Sequence, residues 1–419
     1  MEKVTNQEVT GMCHDGETRS SFEEKCSIRP AARVDSVEEY YFSTKLKEVA
    51  AMNVAGKRVI NLGVGSPDMP PSKTVVDTFC NEIRKDDVHG YQPYTGIPMM
   101  REGYARWYLQ WYGVTLNPDT EILPLIGSKE GVLHVSMTFL NPGDGVLIPN
   151  PGYPTYTSVS KLVGADIVSY TLDEKTGWHP DFESLERLVK ERQATGKSAI
   201  KLMWVNYPNM PTGADASRAL FEKLVAFGFA HGIVICNDNP YSFILNDRPQ
   251  SLLSVPEAKN ICIELNSMSK SHNMPGWRMA MLTSNEQFIR WILKVKSNVD
   301  SGQFRPMQSA VVEALKADQH WYDSINDVYR SRRALAEQLM EILDCTYDRR
   351  QVGLFLWGRI PDRSNGCKEF TDKLLYEANV FIAPGFVFGS AGERYVRISL
   401  CCKHDQLQMA LERIQKLSL

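Results

Sequence analysis

The sequence predicts an α/β fold, and three observations carry the prediction. Short apolar runs alternate with stretches of helical period along most of the chain. Several of these runs stop at clusters of Gly, Pro, Asn and Ser, so strands end in turns that lead into helices. With 419 residues, the chain can bury one large core or two unequal domains. In open α/β sheets, ligands collect at such strand ends.

Taken in order, residues 34–56 hold a helical-period stretch from Tyr40 to Met52. Lys57 to Asp68 then runs as a short strand into a turn, where Gly63 and Gly65 permit close backbone approach or simply a tight bend before Pro70-Pro71. A helix is expected from Ser72 to Lys85, and His89 to Pro98 is too rich in turn residues to be regular. Strands are expected at Glu121–Ile126, Gly145–Pro149, Ala165–Tyr170, Ala199–Val205, Gly232–Cys236 and Lys259–Asn266. Between them, helices are expected from Gly127 to Leu140, Asp181 to Ala194 and Ser217 to His231. Beyond them come helices at Asn285–Asn298 and from Pro306 to about Leu343, a strand at Gly353–Arg359, a helix at Cys367–Ala378 and a strand at Val380–Pro384. Glu393 to Leu400 alternates polar and apolar, which predicts an edge strand or one facing another domain.

Composition narrows the function classes. Lys and Arg number 47 against 50 Asp and Glu, a formal charge of -3, so no basic excess points to nucleic acid or an anionic membrane. Nine dispersed cysteines without a C-x-x-C pair suggest a reducing compartment. Residues 1–36 lack an apolar signal core and no run of eighteen apolar residues occurs, so a cytoplasmic protein is expected. The opening residues, to about Pro30, read as poorly ordered or lid-like.

The chemistry centres on Glu264 to Arg278. Lys270 leaves the end of a buried strand among Ser267 and Ser269, and Pro275-Gly276 lets Arg278 turn back towards it. A lone lysine is ordinarily a solvated surface group. Two hydroxyls and a guanidinium fork, however, suit a phosphate dianion, and an amine beside it suits a phosphorylated aldehyde held as a Schiff base. Ser-x-Ser-Lys-Ser-(x)5-Gly-x-Arg resembles the cofactor-lysine motif of class I/II pyridoxal-phosphate aminotransferases.

The resemblance implies roles for further positions. Gly65 would present its backbone to substrate, and Tyr91, with Tyr94 as its neighbour and competitor, would cross a dimer interface to the partner's cofactor phosphate. Gly127, Ser128 and Lys129 would supply phosphate contacts at a helix start, although Ser128 reads equally as an ordinary N-cap. Tyr153 would stack on the pyridine ring, Asp238 would hold a proton on its nitrogen, and Tyr241 would donate to its phenolate oxygen. Asp238 could also merely cap a turn. Arg397 would grip the substrate carboxylate, with Arg394 the alternative and a plain surface arginine the default. Where the family writes Asn-x-Pro-x-Asn-Pro-Thr-Gly, this chain has Met210, which cannot donate a hydrogen bond; either Asn209 takes the role or the phenolate keeps one donor fewer.

Together the matches imply a fold type I architecture, a three-layer large domain with a mainly parallel seven-stranded sheet and a smaller α/β domain. The expected division is an arm and part of the small domain at 1–70, the large domain at 71–305 and the rest of the small domain at 306–419. The implied activity moves an amino group from an L-amino acid to a 2-oxo acid with pyridoxal 5'-phosphate, in a homodimer, without metal. A β-lyase or related synthase on the same fold, and a non-catalytic cofactor-binding regulator, are the alternatives. Arg305, Tyr40, Phe42 and Gln303 are candidates for substrate selection, with Arg305 otherwise a surface residue.

Overall fold

A computed structural model describes residues 28–39 and 41–417. The expected lid-like opening residues and Tyr40 lie outside that range, apart from Ile28 to Pro30. In chain order the strands are β1 (Ile60–Asn61), β2 (Ile122–Leu125), β3 (Gly145–Asn150), β4 (Asp166–Thr171), β5 (Ile200–Val205), β6 (Val234–Asp238) and β7 (Cys262–Ser267). They continue as β8 (Ala280–Thr283), β9 (Thr346–Tyr347), β10 (Phe355–Arg359), β11 (Val380–Phe381), β12 (Ala383–Pro384) and β13 (Tyr395–Ser399).

Seven strands form one sheet in the order β2-β8-β7-β6-β5-β3-β4. All neighbours are parallel except β8, which runs against both β2 and β7. Its strands are apolar on both faces, as a sheet covered on both sides requires. Val146, Ile148, Leu202, Trp204, Val234 and Cys236 pack into one core, while the alternating Leu147, Met203, Val205 and Ile235 pack into the other. Helices Ser128–Phe139, Pro154–Leu162 and Glu286–Lys296 cover the first face. Serine, aspartate and asparagine begin helices where the sequence places them: Ser217 accepts from Leu220 N at 3.2 Å and Asn285 from Phe288 N at 2.9 Å.

A second, antiparallel sheet has the order β12-β13-β10-β9, and β1 pairs in parallel with β11, so both ends of the chain meet there. Three sequence expectations differ from this arrangement. β13 is not an edge: it lies between β12 and β10, and Arg397 and Ser399 are as buried as Val396 and Ile398. The alternation that reads as half-exposed arises because Arg397 points into the site while Ser399 accepts from Cys401 N at 3.1 Å. Val380–Pro384 divides into two short strands in different sheets, and β8 was not anticipated, being only four residues long.

Because β2 is antiparallel to β8, and β8 to β7, the C-terminal ends of β2, β3, β5, β6 and β7 share one edge. The candidate site lies along it.

Candidate active site

Lys270 is on a one-turn helix, Met268–Ser271, directly after β7. The approach to it is rigid because Glu264, fully buried in β7, accepts from the Tyr108 hydroxyl at 2.9 Å, the Ser251 hydroxyl at 2.6 Å and Leu252 N at 2.9 Å. Lys270 Nζ reaches a cavity of about 670 Å³ and donates to the Gly65 carbonyl at 2.6 Å. Burial lowers its pKa, and Arg397 and Arg278 push the same way, so this amine is more readily neutral than a surface lysine.

At one end of the cavity are Ser128, Lys129, Ser267, Ser269 and Arg278. Gly127 has φ +85°, and a Cβ there would fall on the Arg278 guanidinium. Gly127, not Ser128, is the residue before the helix Ser128–Phe139, and no side chain caps that helix start. Ser267 donates to the Ser269 hydroxyl at 2.8 Å while accepting from Ser269 N at 3.1 Å. Hydroxyls, a guanidinium and helix-start N–H groups make this end suited to a dianion.

On the β6 side, Tyr156 donates to Asp238 Oδ2 at 3.0 Å, whereas Asp238 Oδ1 is buried without a hydrogen bond. Burial raises the carboxyl to about 6, with Tyr156 and Lys270 pulling it back. The orphaned oxygen marks a place for a donor that the chain itself does not provide. Tyr153 and Tyr241 line the same cavity, and burial pushes both phenols up, so each remains a donor at neutral pH.

The remaining wall carries Arg397. Its Nη2 donates to the Gly63 carbonyl at 2.6 Å and its Nη1 to Met210 Sδ at 3.1 Å. Three rings surround the guanidinium, Phe355 at 3.9 Å, Phe388 at 4.6 Å and Phe42 at 5.6 Å. Gly63 and Gly65 leave no room for a Cβ, since Phe381 and Phe355 fill those positions. The two glycine carbonyls thus hold Arg397 and Lys270 side by side.

Some sequence candidates stand elsewhere. Asn209 closes its own turn, accepting from Thr212 N at 3.2 Å and from its hydroxyl at 2.8 Å, and does not line the cavity, whereas Met210 does. Arg394 is bound to the carbonyls of Ser364 and Pro361, and Arg305 pairs with Asp87 at 3.2 Å on the surface. Gln303 is buried behind the site, donating to the carbonyls of Leu125 and Arg278 at 2.9 and 3.1 Å. Tyr91 is 94 % exposed and outside this cavity. Phe42 lines it, together with Ser43, Leu46, Val64, Tyr156 and Phe355, none of which except Phe42 carries a sequence signal.

Residues 57–414 match the model of the family aminotransferase class I and II, and the chain belongs to that family. Among its relatives, the LL-diaminopimelate aminotransferase of Natranaerobius thermophilus is 38% identical over 389 residues, 92% of this chain and 99% of that protein. Transaminase BacF of Bacillus subtilis is 36% identical over 394 residues, covering 94% of this chain and 97% of its own. The apo-BacF structure from the same organism superposes with a TM-score of 0.88, at 35% identity, over 94% of this chain and 99% of that one. The chain is therefore an aminotransferase of fold type I. Among the described residues no helix is long and apolar enough to cross a membrane.

Proposed function

We propose that this aminotransferase uses pyridoxal 5'-phosphate, held by Lys270, to move an amino group from an L-amino acid to a 2-oxo acid. The observation that carries the reading is the presence, in one cavity, of both the buried Lys270 amine and an Asp238 oxygen that lacks a partner. The residues fit the cofactor. Ser128, Ser267, Ser269 and Arg278 would take its phosphate with the Gly127 and Lys129 backbone, Tyr153 would cover the ring, and Tyr241 would donate to the phenolate oxygen. Met210 supplies no such donor, and Asn209 Nδ2 donates to the Asn206 carbonyl at 3.2 Å outside the cavity lining, so the phenolate keeps one donor fewer.

When bound, the cofactor supplies an aldehyde that takes up the amino group and a ring that accepts the electrons left at the donor's Cα. The residues do the rest. Arg397 exchanges the Met210 sulfur and the Gly63 carbonyl for the donor's carboxylate, which binds a guanidinium fork more strongly than either. Lys270 Nζ, whose hold on its proton burial weakens, takes the Cα proton as general base and later returns it as general acid. The Gly65 carbonyl holds Nζ on that side of the cavity. Asp238, its Oδ1 without a partner, would hold a proton at the ring nitrogen, and a cation beside it would favour the ionised carboxylate over the raised acid.

Tyr91, exposed in this chain, is proposed to complete the phosphate site of a second subunit, making the working unit a homodimer. A cytoplasmic setting suits the seven described cysteines, all free thiols. Relatives named LL-diaminopimelate aminotransferase put that diamino dicarboxylic acid among the donors to test. The decisive assay offers an amino acid with a β leaving group together with a 2-oxo acid. Amino transfer to the oxo acid is expected; release of ammonia and pyruvate without transfer would overturn the reading in favour of a lyase.

A further inference from the structure

Resting on the aminotransferase reading of this cavity, we infer that Arg332 and Asp68 are positioning residues for the reaction. Their ion pair keeps residues 63–70 in place while Arg397 and Lys270 are drawn from that segment to the substrate and the cofactor.

Residues 63–70 belong to no helix or strand, yet they form one wall of the site, with Val64 and Gly65 lining the cavity. Two of their carbonyls are held by the side chains that do the chemistry: Gly63 accepts from Arg397 Nη2 and Gly65 from Lys270 Nζ, each at 2.6 Å. Both donors are needed elsewhere during turnover. Arg397 turns to the donor's carboxylate, and Lys270 to the cofactor and the Cα proton. A wall held only by the groups that react would loosen whenever they react.

Arg332 supplies a hold that the chemistry leaves alone. It is buried within the helix Gln319–Ile342, which packs on β9 and β10. Its Nη1 donates to Asp68 Oδ1 at 2.6 Å and its Nη2 to Asp68 Oδ2 at 2.9 Å, and Nη1 also donates to the Leu400 carbonyl at 3.0 Å. Leu400 directly follows β13, three residues past Arg397. One guanidinium thus fixes the segment that presents Gly65 relative to the strand that presents Arg397. A planar fork sets direction as well as distance, which a single ammonium does not. The ends of the segment are tied separately: the Leu62 carbonyl accepts from Ser399 N at 2.7 Å, and the Pro70 carbonyl from Asn273 Nδ2 at 3.3 Å. Between those ties, Asp68 is the side chain that anchors the part beyond Gly65. Neither Asp68 nor Arg332 lines the cavity, so they act through Gly63 and Gly65.

Two measurements on the full chain test this with Asp68→Asn, which keeps the shape and removes the charge, and Arg332→Lys, which keeps the charge and removes the fork. In the first, hydrogen exchange is followed in the cofactor-free protein. Asp68→Asn is expected to speed exchange across residues 62–70 by at least ~10-fold while β3 keeps its wild-type rate, and to do so in a Lys270→Ala background as well. Unchanged exchange in the segment, or an equal rise in β3, overturns the inference. In the second, the cofactor-loaded protein is given the best donor among the common L-amino acids and LL-diaminopimelate. The single-turnover rate at saturating donor, per cofactor bound, is expected to fall at least ~10-fold in Asp68→Asn, with Arg332→Lys between it and wild type. An unchanged rate overturns the positioning role. If wild type turns over no donor, the aminotransferase reading is what fails, and exchange alone decides whether the pair holds the segment. Should Asp68→Asn not fold, Arg332→Lys carries both measurements with the same expected directions.

Discussion

The Tyr156 hydroxyl donates to Asp238 Oδ2 at 3.0 Å and leaves Oδ1 buried and unbonded. One oxygen is thereby fixed and the other is kept for a visitor. Tyr156 is itself held by stacking on Trp204, ring centres 5.1 Å apart and 4° from parallel.

Asp238 is raised to about 6 by burial, so in the cofactor-free chain it binds its proton more tightly than in the unfolded chain. Its stabilising contribution is present below about pH 4 and lost as pH rises through 6, on the order of 3 kcal/mol in all. Asp238→Asn should therefore stabilise the cofactor-free protein relative to wild type at pH 8 more than at pH 4. Once loaded, the same variant should transaminate at least ~100-fold more slowly. Thermal unfolding at the two pH values and single-turnover rates check both halves; near wild-type rates would remove the electron-sink role.

Met210 touches Arg397 where the family pattern has an asparagine. Met210→Asn should restore a donor to the phenolate, stabilise its anionic form and move the titration of the bound cofactor's absorbance to lower pH. A pH titration of the spectrum reads this directly, and an unmoved midpoint would show that residue 210 does not reach the phenolate.

Behind the dianion-suited end, Glu130 accepts from Ile126 N at 2.5 Å and pairs with His134 Nε2 at 2.9 Å, with Asp300 beside it and Lys296 on Asp300 at 2.6 Å. Burial would raise Glu130, but the His134 hydrogen bond, with Asp300 and the Ile126 N–H, outweighs it and holds the carboxyl well below its usual range. A depressed acid contributes stability above its unfolded pKa and loses it as pH falls towards the folded value. Glu130→Ala should cost about 2 kcal/mol at pH 7, and the gap to wild type should narrow below pH 4. Unfolding midpoints at several pH values test this; a gap that widens in acid would contradict it.

How much of this was legible in the sequence follows from what each residue needs. Lys270, Arg278, Asp238 and Gly127 sit at strand ends or turns, where local sequence carries the constraint. Tyr156 bonds a residue 82 positions away, and Leu46 and Val64 reach the cavity only once the two chain ends have folded over it. Such long-range partners have no local pattern. Arg397 reads as exposed by alternation, yet Phe42 and Phe355 from distant segments, with the nearer Phe388, enclose it. Arg305 lies outside this cavity, its guanidinium 3.2 Å from Asp87 on the surface.

Tyr91 presents its ring to solvent at 94 % exposure, on a loop whose Gln92 bridges to Gly302. Sedimentation should show a dimer, and Tyr91→Phe should weaken cofactor retention by about 10-fold, the loss of one hydrogen bond to a charged group. An active monomer would rule out the shared site.

The most direct test of the account is borohydride reduction of the cofactor-loaded protein, with Lys270→Ala alongside, followed by peptide mapping. The account predicts the cofactor fixed to the peptide containing Lys270, a band in the wild-type spectrum that bleaches when an amino donor is added, and neither in the variant. Label on another lysine, or donor-dependent bleaching that survives in Lys270→Ala, would contradict it.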